Sequence, residues 1–104
     1  MSDLSQEKWV AKLSEDDNAV VVDVRTAQER ADGFVANSIH MDIYQPQDFM
    51  KSLEGLDKSK NYYIYCRSGN RSGQACAVFN QSGVQNTYNL IGGMMEWNGE
   101  LVYS

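Results

Sequence analysis

Runs of β-branched residues alternate with segments of helical periodicity along the whole 104-residue chain. The clearest run, "NAVVVDV" at residues 18–24, is apolar at nearly every position, which is typical of a strand buried on both faces of a parallel sheet. Further strands are predicted at residues 37–43, 61–65 and 86–90, with helices between them. This alternation predicts one α/β domain over residues 1–104, with helices on both faces of a mostly parallel sheet.

The helices are predicted from their end signals and their apolar spacing. Ser5 is an N-cap, Thr26 and Glu29 form a capping box, and Pro46 suits a first helical position. These signals place helices at residues 5–13, 26–33, 46–55 and 72–82, and a last one after the glycine pair in "GGMMEWNG". The helix after Pro46 is expected to turn Phe49, Met50 and Leu53 inward. Only "MSDL" is available for a strand before the first helix.

Charge and composition exclude some classes of binding partner. The formal net charge is -5, so the chain lacks the overall positive charge that nucleic-acid binding needs, and no nucleic-acid partner is expected. No apolar run approaches the ~20 residues that span a bilayer, so no membrane partner is expected either. The N-terminus does not resemble a signal peptide, and two cysteines are too few for a disulfide framework. We therefore expect a cytoplasmic protein with free thiols.

The stretch "YYIYCRSGNRSGQACAVF" places Cys66 between the end of a strand and the start of a helix. Backbone N–H groups of such a loop converge on one point, and the helix N-terminus adds partial positive charge. Both effects lower the pKa of a thiol, and two arginines in the loop add to them. The sequence therefore predicts that Cys66 is a nucleophile at the floor of an anion-binding cup lined by Arg67, Ser68, Gly69, Asn70, Arg71 and Ser72.

Two enzyme classes use a thiolate in such a cup. Cysteine phosphatases place an arginine six residues after the nucleophile, whereas Ser72 occupies that position here and Arg71 comes one residue earlier. Sulfurtransferases carry a single sulfur atom on the cysteine as a persulfide, and a smaller cup suits that cargo. An inert, buried Cys66 is the plainer alternative, but "RSGNRS" is not the apolar surrounding in which buried cysteines usually lie.

Three segments at ordered spacing resemble the rhodanese family across nearly the whole chain. "CRSGNRS" at residues 66–72 is similar to the family's active loop with its following Ser or Thr. "VVVDVRTAQERADGF" at residues 20–34 resembles the upstream Asp-x-Arg, Glu, Gly signature, and "NLIGGMMEW" at residues 89–97 resembles the downstream Leu-x-Gly-Gly-x-x-x-Trp element. One segment departs: "GFVANS" at residues 33–38 stands where the family commonly has Gly-His-Ile-Pro-Gly-Ala.

The resemblance implies a three-layer sandwich with a central sheet of four to five strands, and a thiosulfate sulfurtransferase activity. Cys66 would take sulfur from a small anionic donor such as thiosulfate and pass it to cyanide, a small thiol or a partner protein's thiol. No cofactor and no metal are implied. Asp23 and Arg25 would be a structural ion pair, and Arg71 would either line the cup or pair with a scaffold carboxylate.

Other interpretations remain open at this point. A rhodanese module that binds a partner or senses oxidants without catalysis is the main alternative, and a thiol phosphatase or arsenate reductase is a weaker one. Cys76 falls on the apolar side of the predicted helix and is expected to pack in the core. His40 is the only histidine, so a metal site is not expected.

Overall fold

The computed structural model describes residues 1–103, which form a five-stranded sheet. The spatial order of the strands is β1-β5-β4-β2-β3, and every pair is parallel. The strands are β1 (Ser2–Leu4), β2 (Ala19–Asp23), β3 (Ile39–His40), β4 (Asn61–Tyr65) and β5 (Asn86–Leu90). This arrangement confirms the predicted α/β class and the parallel sheet.

Four α-helices connect the strands, and a 3-10 turn follows β5. They are α1 (Gln6–Ser14), α2 (Ala27–Arg30), α3 (Pro46–Glu54), α4 (Asn70–Gln81) and the turn Gly93–Glu96. The predicted caps are present, because Ser5 accepts from the Lys8 N–H and Thr26 forms a capping box with Glu29. Within residues 1–103, no helix combines the length and the apolar character needed to cross a membrane.

The two faces of the sheet carry separate cores. Side chains of successive residues point to opposite faces, so Tyr62 and Ile64 join one core while Tyr63 and Tyr65 join the other. The first core is closed by α3 and α4 through Phe49, Leu53, Ala75, Cys76 and Phe79. The second core is closed by α1 and the C-terminal segment, where Trp9 meets Trp97 edge to face at 6.0 Å.

Several predictions of local structure were wrong in their bounds. The strand predicted at 37–43 has only two residues, and the last helix is a single 3-10 turn. Met50 was predicted to face inward, yet it is 41% exposed. The helix predicted from Ser72 begins at Asn70, because Gly69 adopts φ +99° and turns the chain directly into it.

The topology brings three strand ends together. Because β2, β4 and β5 are neighbours and parallel, their carboxyl ends, at Asp23, Tyr65 and Leu90, lie along one edge of the sheet. Loops at this edge are where parallel sheets of this kind bind ligands. Cys66 is the first residue after β4, so the fold places the predicted nucleophile in the middle of this edge.

Candidate active site

The sulfur of Cys66 lies at the centre of a short loop between β4 and α4. The Gly69 N–H donates to Sγ at 3.1 Å, and the Ser72 hydroxyl lies 3.3 Å from Sγ. Burial raises the pKa of the Cys66 thiol, but the Ser72 hydroxyl and the backbone N–H groups of Ser72, Gly69 and Ser68 outweigh it, so the pKa falls below its ordinary value. The loop therefore stabilises a thiolate.

Two glycines let the backbone close around this sulfur. Gly69 has φ +99°, and a Cβ there would come within 3.1 Å of the Leu90 carbonyl oxygen. Gly93 is tighter, since a Cβ would lie 2.5 Å from the Cys66 carbonyl oxygen. That close approach allows the Met94 N–H to donate to the Cys66 carbonyl at 3.0 Å. The glycine pair after β5 thus holds the 3-10 turn against the base of the active loop.

Arg71 turns to the scaffold and forms a bidentate pair with Glu29. Its Nη1 and Nη2 atoms donate to the two carboxylate oxygens at 2.7 and 2.8 Å, and its guanidinium lies over the Tyr44 ring at 5.2 Å. Hydrogen bonds from Arg71 lower the pKa of Glu29 to about 2, and the same bonds raise the pKa of Arg71. Arg71 thus braces the loop against α2, and its charge remains close enough to favour a Cys66 anion.

A second ion pair lies under the neighbouring strand end. Arg25 donates from Nε and Nη2 to the two oxygens of Asp23, each at 2.9 Å, and both residues are buried. Arg30 adds a contact to Asp23 Oδ2 at 3.2 Å, and the Tyr65 hydroxyl donates to the same oxygen at 2.9 Å. The buried carboxylate is fully paired, and the network ties β2, α2 and β4 together beneath the loop.

The other predicted cup residues differ in their exposure. Arg67, Ser68 and Asn70 are exposed, and Ser72 is fully buried. Arg67 lines a cleft of about 470 Å³ beside the loop, together with Arg25, Glu29, Asp32, Gly33, Met94, Met95 and Leu101. Arg67 forms no ion pair within residues 1–103, so its charge is available at the wall of this cleft.

The second thiol lies in different surroundings. Cys76 packs in the core under α4, and burial raises its pKa to about 12. The two cysteines are not bonded to each other. This placement confirms the prediction that Cys76 is a core residue.

Comparisons with known proteins identify the family of this chain. The family model of the rhodanese-like domain matches residues 6–100. The chain belongs to the rhodanese-like domain family. A sulfurtransferase of Allochromatium vinosum is 31% identical over 97 residues, covering 93% of this chain and 88% of the relative. The thiosulfate sulfurtransferase GlpE of Pseudomonas aeruginosa (strain LESB58) is 33% identical over 87 residues, covering 84% and 76%.

Solved structures give the same result for the fold. The crystal structure of a rhodanese-like domain protein from Staphylococcus aureus matches with a TM-score of 0.84 at 30% identity, covering 100% of this chain and 99% of the other. In the departing segment "GFVANS", Asn37 adopts φ +66° within a turn that the Ser38 N–H closes by donating to the Val35 carbonyl at 3.2 Å. Asparagine tolerates this left-handed conformation better than most residues.

Sequence reasoning missed two polar residues of the site. Asn89 on β5 is buried next to the active loop, and it contacts Asp3 on the edge strand β1. An available signal was the polar Asn89 inside "NTYNL", at the strand end nearest the downstream glycine pair. Asp3 gave no comparable signal, because β1 has only three residues.

Proposed function

We propose that this protein is a thiosulfate sulfurtransferase that carries sulfur as a persulfide on Cys66. Relatives named as sulfurtransferases support sulfur transfer as the general activity. The observation that carries the proposal is the Cys66 sulfur, held between the Gly69 N–H and the Ser72 hydroxyl with its pKa lowered. A thiolate is the form of cysteine that attacks sulfur.

In the first step, the Cys66 thiolate attacks the outer sulfur of thiosulfate. A new S–S bond forms to Cys66, the S–S bond of thiosulfate breaks, and sulfite leaves with the electron pair. One negative charge then resides on the terminal sulfur of the persulfide. Loop N–H groups and the charges of Arg67 and Arg71 favour the dianionic donor and the leaving sulfite.

In the second step, a nucleophile such as cyanide or a thiolate attacks the terminal sulfur. The persulfide S–S bond breaks, and Cys66 leaves as a thiolate, ready for another cycle. The same donors that lower the pKa of Cys66 make it a good leaving group. The cleft lined by Arg67, Met94 and Met95 lies beside the loop and is our candidate for the approach of the acceptor.

The position of Arg71 argues against a phosphatase. A phosphatase arginine must present its guanidinium to phosphate inside the cup, whereas both terminal nitrogens of Arg71 bind Glu29. Arg71 also follows Cys66 one residue too early for that class. The loop therefore favours a single sulfur atom over a phosphoryl group.

An intact-mass measurement tests the proposal. The reduced protein is incubated with thiosulfate, and we expect a gain of one sulfur atom that disappears on addition of cyanide, with thiocyanate formed. The gain should be absent in Cys66→Ala and retained in Cys76→Ala, which is the matched control because it removes the other thiol.

Three outcomes would overturn the proposal. No adduct with thiosulfate, combined with sulfenic acid formation by peroxide on Cys66, would instead indicate a redox sensor. Release of phosphate from a small aryl phosphate, lost in Cys66→Ala, would instead indicate a phosphatase. An adduct that resides on Cys76 would refute the assignment of the nucleophile.

A further inference from the structure

A buried carboxamide lies behind the active loop. Asn89 is 5% exposed, and its Nδ2 donates to Asp3 Oδ1 at 2.9 Å and to the Gly69 carbonyl oxygen at 3.1 Å. Both partners accept at these atoms, so the amide nitrogen faces them and Oδ1 faces away. The Oδ1 atom therefore meets the Ser72 hydroxyl as an acceptor.

The Ser72 hydroxyl has two acceptors within reach and only one proton. One acceptor is the Cys66 sulfur at 3.3 Å, and the other is Asn89 Oδ1. A hydroxyl also accepts through its lone pairs, so Ser72 can take a bond from a thiol S–H while donating elsewhere. The direction of the Ser72 proton therefore depends on the charge of the sulfur.

We propose that Asn89 is a positioning residue whose Oδ1 accepts the hydrogen bond of the Ser72 hydroxyl whenever the Cys66 sulfur carries no charge. In the thiol form, the Cys66 S–H donates to Ser72 Oγ, and Ser72 donates to Asn89 Oδ1. On deprotonation, the Ser72 hydroxyl rotates and donates to the thiolate, and Asn89 Oδ1 loses its donor. No covalent bond changes apart from the S–H bond, whose proton leaves to solvent.

The loaded enzyme has an uncharged inner sulfur. In a persulfide the negative charge resides on the terminal atom, so Sγ needs no charged hydrogen bond, and the Ser72 hydroxyl again donates its hydrogen bond to Asn89 Oδ1. Asn89 therefore stabilises the thiol and the persulfide relative to the thiolate. This consequence for loading rests on the proposed function, whereas the behaviour of the thiol does not.

Charged and titratable groups surround this network on several elements. Arg67 lies in the loop before α4, Arg71 and Cys76 lie on the same helix as Ser72, and Asp3 faces Asn89 from β1. Glu29 acts through Arg71. A substitution of Asn89 by leucine leaves all five in place, so its effect on Cys66 reports on the carboxamide.

The test is a double-mutant cycle read out by the pH dependence of Cys66 alkylation. We expect Asn89→Leu to move the midpoint to lower pH, with about threefold more thiolate below the midpoint, because Ser72 keeps only the sulfur as acceptor. In the Ser72→Ala background, the same Asn89→Leu change should leave the midpoint where it is. A role of Asn89 in general packing would move the midpoint in both backgrounds.

Thr87→Val is the matched control. Thr87 is buried two positions earlier on the same strand, and its hydroxyl donates to Asn80 Oδ1 at 3.3 Å, so its loss should not move the Cys66 midpoint. An unchanged or higher midpoint in Asn89→Leu, or an equal fall in the Ser72→Ala background, overturns the proposal.

Two further measurements keep the proposal testable. If Asn89→Leu does not fold, Asp3→Ala removes one of the two acceptors that orient the amide, and Asp3→Asn removes the same charge but keeps an acceptor there. A lower midpoint in Asp3→Ala than in Asp3→Asn supports the proposal, and equal midpoints or a higher one in Asp3→Ala overturn it. The second measurement is the persulfide occupancy at a fixed ratio of thiosulfate to sulfite, at a pH above the alkylation midpoint. The ratio of persulfide to thiolate should fall about threefold in Asn89→Leu. If no variant forms persulfide, the proposed function fails, yet the alkylation midpoints still decide the role of Asn89.

Discussion

Cys66 and Cys76 are both 0% exposed, yet their pKa values shift in opposite directions. The pKa of Cys66 is lowered, whereas burial raises the pKa of Cys76 to about 12. Both belong to the same apolar core beneath α4. Loss of water alone therefore does not determine how a cysteine behaves in this fold.

The difference lies in the donors around each sulfur. Cys66 occupies the turn before α4, where the Gly69 N–H, unpaired within the helix, and the Ser72 hydroxyl face it. Cys76 lies within α4, where backbone N–H groups are used by the helix, and the Thr87 hydroxyl offsets only part of the cost of burial. A helix start thus supports a thiolate, and its interior does not.

The largest expected effect is selective alkylation. At neutral pH, iodoacetamide should modify Cys66 faster than Cys76 by a factor on the order of 100, because the thiolate fraction decides the rate. Peptide mapping by mass spectrometry after timed quenching measures both rates in one sample. In Cys66→Ala, Cys76 should be alkylated at the same slow rate as in the unmodified protein. Similar alkylation rates for both thiols in the unmodified protein would contradict the difference in pKa.

Ser72→Ala tests the donor that distinguishes the two thiols. Loss of this hydrogen bond to a charged sulfur should cut the thiolate fraction at neutral pH about tenfold. Thiosulfate turnover that needs the thiolate rises with pH through the Cys66 pKa, so a raised pKa should move this rising limb to higher pH.

Ser82→Ala is the matched control for this change. It removes a serine hydroxyl from the other end of α4, far from the sulfur, and the pH profile should not move. A Ser72→Ala profile that stays in place would show that the backbone N–H groups alone lower the pKa of Cys66, and a shift to lower pH would show that the hydroxyl raises it.

Much of this arrangement follows from local sequence. β4 and β5 have the predicted bounds. The thiol at the strand end and the capping box at Thr26 were also predictable, since both depend on residues close in sequence. The lowered pKa of Cys66 follows from the same local geometry.

Contacts between distant segments were not predictable in the same way. The sequence left two roles open for Arg71, and only the packing of α2 beside the loop decides that it binds Glu29. The Asp3–Asn89 contact depends on the register of β1 against β5, which a three-residue strand does not reveal. Met50 was misplaced because apolar spacing does not show how much of a short helix the sheet covers.

Glu29→Gln tests whether the charge of Arg71 or the hydrogen-bond donors around Cys66 cause the difference in pKa between the two thiols. The pKa of Glu29 is about 2, below its ordinary 4.5, so its ion pair stabilises the fold above pH 4.5 and this contribution is lost as the pH falls toward 2. Glu29→Gln should lower the free energy of unfolding at pH 7 by about 1 kcal/mol, measured by chemical denaturation.

The pH dependence provides the control for that change. At pH 2 the variant and the unmodified protein should approach equal stability, while a difference that persists would assign the effect to packing. The Cys66 alkylation midpoint should move less in Glu29→Gln than in Ser72→Ala. A larger movement would mean that long-range charge outweighs the hydroxyl.

The smallest effect is expected at Arg67, whose exposed guanidinium lines the cleft without an ion pair among residues 1–103. Arg67→Ala should lower kcat/KM for thiosulfate about threefold at low salt and less at high salt, because ions screen an exposed charge. Arg67→Lys keeps the charge and should retain most of the rate. Alkylation of Cys66 by a neutral reagent should be almost unchanged, since Arg67 acts on the anionic donor. A loss that is equal at every salt concentration would mean that Arg67 shapes the loop and does not attract the donor.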